Sequence, residues 1–204
     1  MATNVYTGMK KMLILILALA VHGPSHSQQQ ELNAFNSERN KIDKNAFKIL
    51  GAYSAANVIY GSIASSQTTG SNKYFHEMNA IWNGITLGIS TIGYLAKKKE
   101  GDLSYSSSLK KQHATEKLFL FNAGLDLAYI AGGTYLNEKS KTGTGNPAKL
   151  KGYGQSVMLQ GAVLLLFDGI LYTIHNRHGK KLYGLADRMQ LSATGNGLGI
   201  TVGL

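Results

Sequence analysis

The stretch YGQSVMLQGAVLLLFDGILYTI, residues 153–174, decides the fold. Its last 18 residues, from Val157 on, are apolar except for Gln160, Asp168 and a few small or hydroxyl-bearing groups, close to the roughly 20 a helix needs to cross a bilayer. On a helix Gln160, Asp168 and His175 recur at near two-turn intervals and so share one face. A bilayer or a dry core tolerates such groups only where they meet one another. Two other apolar stretches repeat the pattern. In YFHEMNAIWNGITLGISTIGYLA, residues 74–96, His76, Asn79 and Asn83 fall on one face, and in KLFLFNAGLDLAYIAGGTYL, residues 117–136, Asn122, Asp126 and Tyr129 do the same. A weaker first segment, about 45–65, carries Lys48 and Asn57 among many small residues.

Four apolar segments joined by polar, basic, turn-rich loops predict an all-α fold, an antiparallel four-helix, transmembrane bundle over residues 45–178. Gly51 with Ala55, Gly84 with Gly88, and Gly124 with Ala128 and Gly132 stand at four-residue spacing, which lets helix backbones approach closely. Residues 28–44 are polar and read as an exposed lead-in. The tail, 179–204, alternates at Met189, Leu191 and Ala193 and again at Leu198, Ile200, Val202 and Leu204, around Gly195-Asn196-Gly197. Two alternating runs about such a turn predict a short C-terminal β-hairpin, which would pack on the bundle or pair with another envelope protein or a second copy.

Residues 1–27 read as a signal peptide: Lys10 and Lys11 precede ten apolar residues, Met12 to Val21, with a cut expected before Gln28 and Met9 as the true start. With no cysteine, thiol catalysis, thiolate metal sites and disulfides are excluded. Charge distribution conflicts with export. If Gln28 lies outside, fourteen basic residues of the lead-in, the middle loop and the tail lie there with it, against five on the other side, whereas the positive-inside rule puts the richer side in the cytoplasm. The net charge of +10 sits in loops flanking apolar segments instead of on an aromatic-studded face, which points to anionic lipid headgroups and not to nucleic acid.

Two readings follow for the polar residues. In one they are a structural network that fixes helix register; in the other Asp126 and Asp168, lined by His76, Asn79, Asn83, Asn122 and Gln160, hold an ion or ligand, as in a small transporter. No nucleophile motif accompanies the acids, so no enzyme, cofactor or metal is expected. His76-Glu77 begins like a zinc-protease helix, but Ala80 stands where the second ligand belongs, and Gly143-Thr144-Gly145 lacks a preceding strand. His175, Arg177 and His178 read as a solvated helix end.

The strings YFHEMNAIWN (74–83), EKLFLFNAGLDLAYIAGG (116–133) and GYGQSVMLQGAVLLLFDGILYTIH (152–175) resemble an uncharacterised family of exported multi-helix membrane proteins of Bacteroidota-type bacteria. The likeness spans about residues 45–178. It implies membrane residence in a bacterial cell envelope, the inner membrane before the outer, and brings no activity or site residue. The expected protein is a structural or accessory membrane protein.

Overall fold

The computed structural model describes residues 26–194 apart from Lys99 and Thr144, with side chains from 28 to 187. These residues form four helices, α1 (His26–Gln67), α2 (Gly70–Ala96), α3 (Tyr105–Lys139) and α4 (Pro147–Thr194), with a short 3-10 turn, Ser140–Thr142, after α3. The breaks follow from local chemistry. Gly70 takes φ +60° to turn α1 into α2 within two residues. Ser104 Oγ accepts the Ser107 amide at the start of α3. Asn146 Oδ1 accepts the Lys149 amide just before Pro147, whose fixed φ suits the first position of α4.

Two expectations need correction. Among the described residues there is no strand: α4 runs on through Met189, Leu191 and Ala193 to Thr194, so the first arm of the expected β-hairpin is helix, and the second arm lies outside the described residues. An established helix gains one hydrogen bond for each residue it adds, whereas an isolated two-stranded hairpin is marginal. The polar run 28–44 is likewise continuous with α1 and partly buried. Of the signal read at 1–27, only His26 and Ser27 are described, as the first residues of α1.

The helices do not pack in chain order. α3 lies chiefly against α4 and α1 chiefly against α2, while α4 also packs along α2; the backbones of α2 and α3 stay apart among the described residues, and the Trp82 and Tyr129 rings bridge them. Close approach depends on glycine, but of the glycines expected only Gly51 takes part, where a Cβ would stand 3.2 Å from Ser90 Oγ. A Cβ at Gly154 would stand 2.6 Å from the Gly133 carbonyl oxygen, and one at Gly61 would stand 2.8 Å from that of His76. Gly84, Gly88, Gly124 and Gly132 have no such neighbour.

Burial divides the molecule into two zones. In the first, 46–65, 75–96, 118–136 and 153–174, the interior is mostly polar, with Ala46, Ala64, Val157 and Leu171 its buried apolar side chains: every buried residue of α2 is polar, namely Asn79, Asn83, Thr86 and Ser90. Ser54, Asp126, Ser156, Gln160 and Asp168 join them. Meanwhile Ile81, Ile85, Ile89, Ile92 and Leu95 on α2, Leu120 and Phe121 on α3, and Leu166 and Ile170 on α4 point outward. α4 is the one described helix that is long and apolar enough, by composition, to cross a membrane; its most apolar window has mean hydropathy 1.8 and is only 28% buried. The other helices fall short because averaging merges inward amides with outward isoleucines.

Beyond this zone α1, α3 and α4 continue into a cap of ordinary polarity. Leu32, Phe35, Leu182 and Leu185 form its apolar core, with Tyr105 and Leu109 against it. His175 and His178, expected at a solvated end, are buried there, stacked on Phe119 and Phe35 respectively. Asp43 takes a hydrogen bond from Lys97 Nζ at 2.6 Å and has His175 Nε2 at 3.1 Å. Burial works to raise the Asp43 carboxyl, but His175 and Lys97 outweigh it and hold the group below 3.8. The Lys181 hydrogen bond likewise lowers Glu38 below 4.5. Burial pushes His178 below 6.5, against the hydrogen bond its Nε2 makes to the Phe35 carbonyl.

All three groups bind protons more readily unfolded than folded, so stability rises with pH. The cap should therefore lose stability as pH falls below 6.5, through His178, and again below 4.5, through Glu38 and Asp43. Thermal unfolding followed by circular dichroism across this range checks it, with the upper step absent in His178→Gln. Increasing stability on acidification would refute it.

Candidate functional site

The seven candidate residues fall into two clusters and one outlier. On the face shared by α1, α2 and α4, Asn79 is a hub. Its Nδ2 donates to Asn57 Oδ1 at 3.1 Å, and its Oδ1 accepts from Asn83 Nδ2 at 3.2 Å and from Gln160 Nε2. Gln160 Oε1 in turn accepts from the Tyr53 hydroxyl at 3.3 Å. α2 and α4 run parallel here, which brings Asn79 level with Gln160. These amides bond one another across three helices, as a network that fixes register requires, and leave Asn83 Oδ1 buried without a donor.

Two turns along α4 stands the acid cluster. Asp126 and Asp168, 3% and 6% exposed, bring their carboxyls together with Asn122 beside Asp168. Antiparallel pairing of α3 and α4 produces the meeting, since each Cβ leans toward its own helix N-terminus and the two side chains converge. Asp126 Oδ2 is buried with no hydrogen-bond donor, and its near neighbour is another acid. Two full negative charges side by side would repel, so the pair favours a proton or a cation between them.

The acids form part of the wall of a cleft of about 790 Å³. It exists because the backbones of α2 and α3 stay apart: Trp82, Ile85 and Ile89 line one side, Leu118, Phe119 and Leu125 the other, and Leu164, Phe167 and Leu171 of α4 form the floor. At one end Trp82 and Tyr129 meet edge to face at 4.8 Å, and at the other end Asp43 enters the lining. His76 joins neither cluster. Its ring lies edge-on to Tyr60 and Phe75, and its Nδ1 is buried without a partner. Among the described residues no group of three or more His, Cys, Asp or Glu side chains could hold a metal ion.

Sequence reading missed Thr86 and Ser90, which extend the Asn79 and Asn83 face at helical spacing, and Trp82, which looked like one more apolar residue. Small hydroxyl residues continuing an amide stripe were the available signal. The cleft itself had none, because it depends on which helix backbones stay apart.

Fold and site together define a four-helix protein with a polar interior and an apolar exterior over much of its length. The chain belongs to a family of unknown function (DUF6992), whose model matches residues 49–169. That range includes all seven candidate residues and omits most of the cap. No curated protein and no solved structure matches the chain.

Proposed function

We propose that this is an integral membrane protein of the bacterial cell envelope, structural or accessory in role, whose four helices associate through inward-facing amides and acids. The observation that carries this reading is the inversion of burial within a bounded band. Water would expel Ile81, Ile85, Ile89, Ile92 and Leu95 from a surface and draw Asn79, Asn83, Thr86 and Ser90 onto it; hydrocarbon does the reverse. The band's height supports the same reading. Tyr74 and Tyr94 on α2 stand twenty residues apart, about 30 Å at the α-helical rise and equal to the hydrocarbon thickness of a bilayer.

Tyrosine–lysine pairs mark both rims. Lys44 and Lys48 lie 5.9 and 5.6 Å from the Tyr94 ring, while Lys139 and Lys149 lie 5.8 and 5.2 Å from Tyr135 and Tyr153. Aromatic rings with basic chains reaching past them suit the headgroup layer, where the lysines meet anionic lipid.

Single cysteines in this cysteine-free chain test the reading. Ile59 and Ile170 are 63% and 59% exposed on the protein surface, so in water Ile59→Cys and Ile170→Cys would react freely with a water-soluble maleimide. In vesicles both should stay unlabelled until detergent is added, whereas Ser107→Cys in the cap and Asn72→Cys at the far rim should label from opposite sides. Labelling of Ile59→Cys and Ile170→Cys at the Ser107→Cys rate would overturn the proposal. The side from which Ser107→Cys reacts decides between the charge rule and export of the N-terminus.

A further inference from the structure

A cleft of about 790 Å³ is within the roughly 300–1,000 Å³ usual for ligand pockets, and this one has a chemically uneven lining. Nearly all of it is aliphatic or aromatic. Its polar focus is the Asp126–Asp168 pair with Asn122, and Asp126, 3% exposed, holds an oxygen that no donor reaches. Such an arrangement rejects anions. It also offers too few oxygens for a hard divalent cation, since calcium takes six to eight. Two buried carboxyls side by side repel one another, and a monovalent cation seated between them relieves that repulsion. The Trp82 and Tyr129 rings border the same cleft, and aromatic rings attract an organic cation. An ammonium group fits this end, and an alkyl chain fits the rest.

We propose that the cleft between α2 and α3 binds a long-chain primary amine, with its ammonium on Asp126 and Asp168 and its chain along Ile85, Ile89, Leu118 and Leu164. The ligand enters sideways from the hydrocarbon layer, through the gap between the backbones of α2 and α3, beside the Trp82–Tyr129 contact that closes one end of it. This inference rests on the membrane reading above. The ammonium can come from a free alkylamine or from the headgroup of an aminophospholipid.

Trp82 is the single tryptophan of the chain, so its fluorescence reports on the cleft without labelling. The full chain in nanodiscs of phosphatidylcholine and phosphatidylglycerol is titrated with dodecylamine, and with dodecanoate as the control of opposite charge. A saturable change in Trp82 emission with dodecylamine, absent with dodecanoate, is expected. Asp126→Asn and Asp168→Asn should weaken it tenfold or more. If either variant fails to fold, judged by circular dichroism, Ile89→Phe narrows the cleft without touching the acids and should weaken binding similarly.

Replacing phosphatidylcholine by phosphatidylethanolamine separates the sources: competition with dodecylamine identifies a lipid headgroup, and an unchanged titration identifies a free amine. No saturable response, an equal response to dodecanoate, or wild-type titration by the folded aspartate variants or by Ile89→Phe would overturn the proposal. Quenching of Trp82 by brominated acyl chains, measured without amine, reports membrane placement separately. Quenching with no dodecylamine response would remove the amine site and leave the membrane reading standing.

Discussion

Glu100→Ala should lower the stability of the cap by about 3–5 kcal/mol, the range for stranding a buried charge. Arg39 is 2% exposed, and its guanidinium meets Glu100 and the Ser108 carbonyl, the latter at 3.3 Å. Without Glu100 that carbonyl alone faces a full positive charge buried from water. Arg39→Met should cost less, because Glu100 keeps Lys111 at 2.8 Å and is itself partly exposed, while the methionine fills much of the vacated volume. Chemical denaturation of both variants checks the asymmetry; equal losses, or a larger loss for Arg39→Met, would refute it.

Gly154→Val should force α3 and α4 apart. A Cβ at 154 meets the Gly133 carbonyl oxygen at 2.6 Å and the Asn137 amide nitrogen at 2.7 Å, and both are backbone atoms that no rotamer change can move aside. Overpacking of this kind costs about 1–3 kcal/mol where side chains can yield, and here they cannot, so the loss should reach or pass the upper figure. Because the acid pair depends on the same helix contact, dodecylamine binding should fall with it. Gly124→Ala, with open space at its Cβ, is the matched control and should leave stability unchanged or slightly higher. A Gly154→Val protein that unfolds like the parent would show that α3 and α4 do not approach this closely.

These two sites show what the sequence could and could not disclose. The helices were legible because Asn79, Asn83, Gln160, Asp126 and Asp168 recur at helical spacing in apolar stretches, and the price of burying amides and acids alone in oil or a dry core forces them inward together. Their sorting into an amide hub and an acid pair was not legible, since it depends on relative helix height, and spacing along one helix says nothing of that. The glycine stripes misled for a similar reason: Gly84 and Gly88 have the spacing for close packing but face outward, while Gly133 and Gly154 make the contact. Arg39 escaped notice because polar composition suggested exposure. Its burial depends on Glu100, sixty-one residues away. Met189 to Ala193 alternate like a strand, yet continue a helix that already had momentum from Pro147 onward.

The hub at Asn79 also imposes an order on assembly. Asn57, Asn79 and Asn83 all belong to the first helical hairpin and can engage one another as soon as α2 is made, but Gln160 arrives only with the last helix. A chain that ends before residue 147 therefore holds a paired but unclosed set of carboxamides, which the last helix seals when it supplies Gln160.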